Sequence, residues 1–302
     1  MQTSVSTSRR GYGLVLIAVS LWATLGIFYT ALLQLGFSRV SIAFIRCTIA
    51  AILLGSRLIV NDRARLKVAW HDLPLLIAFG VIGIAVFYVV QIISVESAGV
   101  AVTWVMLYTA PIWVVLFSAI FLHERITQPK MIAIALSLAG CALVVKIYQG
   151  AAINLSGLLA GLATGLTYAA YILFSKAASA RGYNTWTFML YGLLFGAICL
   201  LPLQSIDDLT RSIAAPGAIL WLILLCLGPT FAAATIFITG LKYVRASNAS
   251  IVATIEPVLA TLLALIFLHE SLEPLQLIGA GLILSAVIVL LRSPDRSERV
   301  AI

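Results

Sequence analysis

Long apolar runs follow one another along the chain and are separated only by short polar connections. A helix that crosses about 30 Å of hydrocarbon at about 1.5 Å per residue needs about 20 apolar residues. Ten runs reach this length and predict ten transmembrane helices, at approximately 11–33, 38–60, 72–95, 98–122, 129–147, 154–177, 183–203, 216–240, 246–268 and 272–291. No connection is long enough to form a soluble domain, so we expect an all-α integral membrane protein.

The second half of the chain repeats the first at an offset of 146 residues. Pro111 falls on Pro257, and the run Phe121-Leu122-His123-Glu124 falls on Phe267-Leu268-His269-Glu270. The same offset, without a gap, also pairs Gly11 with Gly157, Phe28 with Phe174, Gly36 with Gly182, Ile132 with Ile278 and Leu136 with Leu282. A four-residue identity that contains His and Glu, with a proline at the same distance before it, is hard to obtain by chance. Each half is therefore a copy of one unit.

This repeat divides the chain into four parts: a polar tail over residues 1–10, a five-helix repeat over 11–147, a second five-helix repeat over 148–291 and a tail over 292–302. A unit with five spans crosses the membrane an odd number of times, so the second copy enters from the opposite side and the repeats are inverted. Inverted repeats around a central cavity are typical of secondary transporters, whose site lies near the midplane between the repeats. A duplication kept for stability in an enzyme or a channel is the alternative.

Composition and charge agree with a membrane location. Hydrophobic residues make up 62% and charged residues 10% of the 302 positions, a far larger apolar excess than a soluble domain carries. With the N-terminus placed inside, 15 of the 19 Lys and Arg residues fall on the inside, Arg46 falls within a span, and the outside loops hold Arg39, Lys146 and Arg211. This bias predicts that both termini are cytoplasmic. It also accounts for the net charge of +8, so we expect no nucleic-acid partner.

The sequence carries no motif of a metal site or an ATPase. The four cysteines lie inside apolar runs without CxxC spacing, which predicts neither a disulfide framework nor a metal site. The pairs His123-Glu124 and His269-Glu270 fall on opposite sides of the membrane in the predicted topology, so they cannot share a metal ion. No GxxxxGKS or GxxxxGKT loop is present, and the chain is not expected to hydrolyse ATP. We therefore expect no cofactor.

Two charged residues lie deep within predicted spans. Arg46 lies in the second helix, and Glu256 lies about halfway along the ninth, directly before Pro257. Charges in hydrocarbon are costly, so each should face a partner or a cavity. Three alternatives are open for Arg46 and Glu256: they pair with each other, either of them contacts a substrate in a gating or coupling role, or both are structural. The counterpart of Glu256 in the first half is Ala110, so the repeat itself gives no support for a functional carboxylate.

Prolines and aromatic residues mark the expected cavity. Pro111 and Pro257 each remove a backbone donor within a span, so we expect helices four and nine to kink at matching positions, which points to a binding site. The candidate site residues are those with aromatic rings or polar groups at this depth: Trp22, Phe87, Tyr88, Gln91, Trp104, Tyr108, Tyr168 and Tyr171, with Thr164 and Ser175 on the Tyr168 stripe. They suit a zwitterionic or aromatic metabolite, or an organic cation. Ordinary packing is the alternative for each of them.

These features together resemble a known family. The paired proline helices that end in Leu-x-Glu, Arg46 in the second span and the ten-helix repeat resemble the drug/metabolite transporter superfamily, in its bacterial branch with two EamA repeats. The resemblance covers residues 11 to 291. Within that branch the chain is most similar to YddG-type exporters of amino acids, through the run Tyr108-Thr109-Ala110-Pro111 and the tyrosines at 88 and 168.

The resemblance implies a basket of helices one to four and six to nine around the cavity, with helices five and ten outside it. It also implies a function: export of aromatic and other neutral amino acids, or related small metabolites, across the bacterial cytoplasmic membrane by alternating access. The partners are then a small-molecule substrate and the lipid bilayer, and the sequence leaves the oligomeric state open. A multidrug or organic-cation exporter of the same superfamily, an intramembrane enzyme and a channel are the alternatives.

Overall fold

A computed structural model of the protein describes residues 2–150, 154–205, 209–210, 214–267 and 272–292, with side chains from residue 9 onward. The helices of the first half are α1 (Gln2–Ala23), α2 (Leu25–Gln34), α3 (Arg39–Asn61), α4 (Leu73–Ala78), α5 (Phe87–Leu107), α6 (Ala110–Phe121) and α7 (Gln128–Val144). Those of the second half are α8 (Leu155–Ala180), α9 (Thr185–Leu200), α10 (Ala218–Leu225), α11 (Ala233–Gly240), α12 (Ala246–Ala253), α13 (Glu256–Phe267) and α14 (Pro274–Arg292). Arg211, the run Leu268-His269-Glu270 and the tail after Arg292 lie outside the described residues.

Eight helical stretches in the described part of the chain are long and apolar enough to cross a membrane, and α6 and α7 are shorter apolar helices. One of the eight, Trp70–Leu107, passes through Gly99, whose φ of 83° and ψ of 169° are not helical. Glycine adopts a positive φ without a steric penalty, so the chain changes direction there. The predicted third and fourth segments, 72–95 and 98–122, lie on either side of this break.

The first helix differs from the prediction at both ends. It begins at Gln2, so the residues predicted as a tail, 1–10, are helical from their second position. Extending a helix costs little once it has been nucleated, which allows these polar residues to continue the apolar span. The predicted segment 11–33 also divides at Thr24 into α1 and α2, and the Thr24 hydroxyl donates to the Leu21 carbonyl at 2.6 Å.

The α-helix is interrupted just before each of the two prolines, at the positions where kinks were predicted. The fourth segment stops at Leu107 and resumes as α6, where Pro111 occupies the first turn. The ninth stops at Ala253 and resumes as α13, where Pro257 is the second residue. A proline in the first turn of a helix lacks an N–H that would have no partner there. Thr109 and Thr254, in the two short turns, keep right-handed helical φ and ψ values, so each span continues beyond its turn.

The offset of 146 residues recurs in the helix boundaries. Helices α3 and α9, α6 and α13, and α7 and α14 begin 146 residues apart. A π-helical stretch interrupts the third span of each half at matching positions, Phe79–Val86 in the first half and Cys226–Ala232 in the second. The turns at Gly36 and Gly182 both have a positive φ, of 90° and 76°. The two halves therefore share local structure as well as sequence.

Close contacts between the halves also follow the repeat. A Cβ placed on Gly11 would lie 2.7 Å from the Tyr243 Cβ and from a methyl group of Val244. A Cβ placed on Gly157 would lie 2.5 Å from the Ala98 Cβ. Since Gly157 corresponds to Gly11 and Ala98 corresponds to Val244, this contact occurs twice with the halves exchanged. Helices α3 and α9 pack together, as do α7 and α14, and these are also repeat equivalents.

Candidate functional site

A cavity of about 310 Å³ lies between the two halves. The first half contributes Trp22, Leu25, Gly26, Tyr29, Thr30, Leu33, Arg39, Arg46, Gly83, Ile84, Phe87, Tyr88, Gln91, Ile92, Val95, Val100, Thr103, Trp104 and Leu107. The second half contributes Tyr168, Tyr171, Met189, Leu193, Pro229, Thr230, Ala234 and Glu256. None of these described residues comes from α7 or α14, which pack against each other away from the cavity.

Most of the residues predicted for the site line this cavity. They are Trp22, Arg46, Phe87, Tyr88, Gln91, Trp104, Tyr168, Tyr171 and Glu256. Tyr108 does not line it: its side chain is 5% exposed and lies behind Glu256. Pro111 and Pro257 are buried at the starts of their helices. Their part is to end the preceding helix segment, which places Glu256 at the cavity wall.

Aromatic rings form a continuous belt around the middle of the cavity. The Trp22 ring meets Tyr168 and Tyr171 edge-on, at centroid distances of 6.3 and 6.5 Å. Tyr168 and Tyr171 stack at 6.2 Å, and Phe87 lies 5.9 Å from Tyr168. Such rings offer both an apolar surface and a π-face to a substrate.

Two hydroxyl groups in this belt lack hydrogen bonds. In the part of the chain that the structure describes, the hydroxyls of Tyr168 and Tyr171 are buried and have no protein partner. A buried polar group without a partner costs about 1–3 kcal/mol. Both side chains line the cavity, so they offer it ring surface while their hydroxyl oxygens stay shielded.

Arg46 is the buried arginine of the cavity and is 5% exposed. Its Nε donates to the Thr230 Oγ1 at 2.9 Å, and its Nη1 donates to the Tyr29 hydroxyl at 3.2 Å. The guanidinium carbon also lies 5.2 Å from the centre of the Tyr88 ring and 5.9 Å from that of Tyr29. Hydroxyls and ring faces therefore hold the side chain in place.

Glu256 is the acidic residue of the cavity wall. Its side chain is 7% exposed and accepts a hydrogen bond from the Tyr108 hydroxyl. Glu256 is the first residue of α13. Free backbone N–H groups and the helix dipole favour an acidic side chain at this end of a helix. Among the described ion pairs none joins Glu256 to Arg46, so the pairing considered from the sequence is not formed in this structure.

Several lining residues were not predicted. Tyr29 and Thr230, which hold Arg46, look like ordinary members of apolar runs in the sequence. Pro229 gives a clearer signal, because it interrupts an apolar segment and corresponds by the offset to Gly83. Both lie in the π-helical stretches and both line the cavity, so breaks at matching positions of the repeats mark the site here as well.

The cavity reaches the protein surface at one end, close to the turn at Gly36. Thr30, Leu33 and Val100 line the cavity at this end, and Val100 is 55% exposed. We call this the open end. The opposite end, close to the turn at Gly182, is occupied by packed side chains and is called the closed end.

Lys176 joins α8 to α11 at the closed end. Its Nζ donates to the Leu241 carbonyl at 2.7 Å and to the Val244 carbonyl at 2.7 Å. These carbonyls follow the last turn of α11, where backbone oxygens have no partner within the helix. Leu241 and Val244 are 0% and 3% exposed. The lysine therefore satisfies two buried acceptors while it ties α8 to the end of α11 within the second half.

Glu124, the last residue of the repeated four-residue run, joins the halves at the same end. Its Oε1 accepts from the Ala246 N–H at 3.1 Å, and its Oε2 accepts from the Ser247 hydroxyl. Lys130 lies 3.7 Å from the same carboxylate. Ala246 begins α12, so Glu124 of the first half supplies an acceptor to the N-terminus of a helix in the second. The glutamate of the run thus has a structural role in this half.

Comparison with known proteins identifies the family. The model of the EamA-like transporter family matches the chain twice, over residues 9–146 and 155–292. The chain belongs to the EamA-like transporter family. This family is part of the drug/metabolite transporter superfamily, as expected from the sequence, and the protein is a multi-pass membrane transporter and not an enzyme.

Relatives of this EamA protein are also described as transporters. An "Uncharacterized transporter" of Archaeoglobus fulgidus is 32% identical over 69% of this chain and 74% of its own length. A "Probable terminal-alkyne amino-acid exporter" of Streptantibioticus cattleyicolor is 28% identical over 85% of this chain and 83% of its own. The "Uncharacterized inner membrane transporter YicL" of Salmonella typhimurium is 24% identical over 98% of this chain and 100% of its own length. A crystal structure with 19% identity shares the fold, with a TM-score of 0.77 over 97% of this chain and 99% of that one.

Proposed function

We propose that this EamA transporter exports amino acids, aromatic and other neutral ones, across the bacterial cytoplasmic membrane by alternating access. The observation that carries the proposal is the cavity between the two halves, which combines an aromatic belt with one buried arginine and one buried glutamate. A volume of about 310 Å³ lies at the lower end of the range for small-molecule sites, which fits a single amino acid.

The composition of the cavity wall suits a zwitterion with an apolar side chain. Arg46 and Glu256 offer opposite charges, and Trp22, Tyr168 and Tyr171 offer ring faces. Among the relatives, the Streptantibioticus cattleyicolor protein is described as an amino-acid exporter. This chain covers 83% of that protein.

We further propose that the ten predicted helices form two inverted repeats. The exchanged contacts at Gly11 and Gly157 support a two-fold axis between the halves. Five spans per half would orient that axis in the membrane plane. The excess of Lys and Arg in the loops on the side of the termini favours a cytoplasmic location for both termini. The open end then faces the outside, and the closed end faces the cytoplasm.

An inverted repeat provides a mechanism for alternating access. Thr30 and Val95 hold the positions in the first half that correspond to Lys176 and Leu241 in the second. The first pair lines the cavity at the open end, whereas Lys176 and Leu241 are hydrogen-bonded at the closed end. If the first half adopted the packed arrangement of Lys176 and Leu241, and the second half adopted the open arrangement of Thr30 and Val95, the outer end of the cavity would close and the inner end would open. Glu256 is placed to couple this exchange to protons.

An organic-cation exporter is the second candidate, since Glu256 and the ring faces also attract cations. Arg46 weighs against it, because its charge lies in the same cavity and repels a cationic substrate. The closed end weighs against a channel, which needs a continuous pathway.

Counterflow in proteoliposomes tests the proposal. Purified protein is reconstituted with an internal excess of one unlabelled amino acid, and uptake of the labelled form is followed for each of the common amino acids. We expect exchange of phenylalanine, tyrosine and other neutral amino acids. Tyr168→Ala should weaken exchange of aromatic substrates by about threefold to tenfold, the value of one aromatic contact. Phe121→Ala is the control, because Phe121 is 70% exposed and away from the cavity.

Two outcomes would overturn the proposal. Exchange of tetraphenylphosphonium without exchange of any amino acid would favour the organic-cation exporter. Uptake that does not saturate and does not need internal substrate would favour a channel. If exchange occurs, Glu256→Gln separates the two roles of the carboxylate: loss of pH-driven transport alone indicates proton coupling, whereas intact pH-driven transport indicates a structural role.

A further inference from the structure

The strongest unexplained feature of the cavity is that Arg46 has no countercharge. Within the residues that the structure describes, no carboxylate lies within 4.0 Å of its guanidinium, and the ion pairs involve Arg39, Lys130, Lys146 and other surface or closed-end residues. Glu256 lines the same cavity but accepts from Tyr108. A buried charge is costly unless it is paired and hydrogen-bonded. The cavity therefore contains an unneutralised cation.

The contacts of Arg46 fix its orientation without using its full capacity to donate. A guanidinium has five N–H groups. Two of them reach the Thr230 and Tyr29 hydroxyls, and the remainder have no acceptor among the described residues. Because Arg46 lines the cavity, those free N–H groups are available to a ligand there.

Thr230 is itself oriented to hold the arginine. Its hydroxyl donates to the Leu225 carbonyl at 2.9 Å, within the π-helical stretch of the second half. A hydroxyl has a single hydrogen, so the Thr230 oxygen can only accept from the Arg46 Nε. The arginine comes from α3 in the first half and its fixed acceptor comes from the second. The guanidinium is thus held in one orientation before any substrate arrives.

The positive charge of Arg46 favours a flat anionic group over a second cation. Tyr88 lies 5.2 Å from the guanidinium carbon and contributes cation–π attraction without occupying an in-plane donor, whereas Tyr29, at 5.9 Å, also accepts one N–H. A planar carboxylate matches the fork of free N–H groups and can bind it with two parallel hydrogen bonds. Tyr171, with its unpartnered hydroxyl, also lines this cavity.

We propose that Arg46 binds the carboxylate of the transported molecule. It follows that the protein accepts molecules with a carboxylate beside an apolar or aromatic body and rejects the corresponding amides and amines. This inference rests on the proposed function and specifies which part of the amino acid is recognised. Arg46 is then the residue that excludes amines from an otherwise cation-friendly aromatic cavity.

The test compares three probes of the same shape: phenylalanine, phenylalanine amide and phenethylamine. Counterflow is measured in proteoliposomes that contain the intact protein. We expect the wild-type protein to exchange phenylalanine at least about tenfold faster than the other two, the loss that follows when a charged hydrogen-bonded group has no partner. This first arm needs no variant, so it does not depend on whether a variant folds.

The second arm uses substitutions at Arg46. Arg46→Gln should slow phenylalanine exchange on the order of 10- to 100-fold and leave the slow exchange of phenylalanine amide unchanged or faster. Arg46→Lys should keep part of the preference for the acid, because it keeps the charge and loses the fork. Arg57→Gln is the matched control on the same helix: Arg57 stacks on Trp186, 4.4 Å from its ring centre, and does not line the cavity.

The outcomes distinguish failure of the carboxylate role of Arg46 from failure of the proposed amino-acid export. If the wild-type protein exchanges phenylalanine and its amide equally well, or if folded Arg46→Gln keeps the wild-type preference for the acid, the carboxylate role is wrong and amino-acid export stands. If the wild-type protein exchanges phenethylamine or other amines and no amino acid, the proposed function fails and the role of Arg46 fails with it.

Discussion

Lys176 offers the sharpest test of how the closed end is held. Its ammonium group makes two hydrogen bonds of 2.7 Å, to the carbonyls of Leu241 and Val244. Lys176→Met keeps the length and the apolar stem of the side chain and removes the charge and the donors. The two carbonyls then have no partner unless water enters the closed end, so the substitution favours opening.

The contacts set the size of this effect. A hydrogen bond to a charged group contributes about 1.5–3 kcal/mol. Hydration of the two carbonyls in the opened state recovers part of that sum, and we take about 2–3 kcal/mol for the pair. At 1.4 kcal/mol per tenfold change, the equilibrium between the closed and the opened inner end should shift by about 30- to 150-fold.

Spin-label distances measure this shift directly. Ala180 and Lys242 are exposed at the closed end, and Gln34 and Glu96 are their repeat equivalents at the open end. We expect Lys176→Met to move the distance distribution of the 180–242 pair to longer values and that of the 34–96 pair to shorter ones. Lys67→Met, at an exposed lysine, is the control. If both distributions stay the same in a folded Lys176→Met protein, the lysine does not hold the closed end.

Two further predictions concern stability. Gly157→Val should lower the melting temperature, because the Ala98 Cβ lies 2.5 Å from a Cβ placed at this position and overpacking costs about 1–3 kcal/mol. Gly281→Ala is the control and should not destabilise the protein, since nothing lies within 4 Å of a Cβ there. Equal losses of melting temperature in the two variants would contradict the packing explanation. Hydrogen bonds from Tyr148, Lys146 and Gln149 hold the pKa of the Glu273 carboxyl below its usual value. Its stabilising contribution should therefore be present above the unfolded pKa of about 4.3 and be lost as the pH falls through the lower folded pKa. Thermal unfolding of Glu273→Gln between pH 3 and 6 checks this, and an acid-range slope identical to that of the wild type would refute it.

The sequence was sufficient for the parts of the fold that depend on hydrophobicity and repetition. Apolar length locates the spans, and the offset predicts that Pro111 and Pro257 interrupt equivalent helices. The offset locates the interruption but does not fix its form, because a proline in a span can either kink the helix or begin a new one. The form is set by the backbone on the N-terminal side of each proline, from Leu107 to Ala110 and from Ala253 to Glu256.

The site was predicted where its residues are costly in a membrane and missed where they are not. Arg46 and Glu256 stand out in apolar spans, and both line the cavity. Thr230 and Tyr29 do not stand out, because a hydroxyl in a helix can satisfy itself on the preceding turn. Tyr108 shares a helical face with Trp104 and stacks on its ring at 6.1 Å, yet it does not line the cavity, because its side chain is buried and hydrogen-bonded to Glu256. Side-chain position after a break depends on tertiary packing, which one-dimensional spacing does not contain.

The orientation of equivalent turns tests the central claim most directly. Gln34 and Ala180 precede the turns at Gly36 and Gly182, are separated by the repeat offset and are both exposed. Single cysteines are introduced at each position in a Cys199→Ser background, since Cys199 is the exposed cysteine among the four, and intact cells are treated with a membrane-impermeant maleimide. Inverted repeats predict that Gln34→Cys is labelled from outside and that Ala180→Cys is labelled only after the cells are permeabilised. Labelling of both positions from the same side would contradict the inverted arrangement and the transport mechanism built on it.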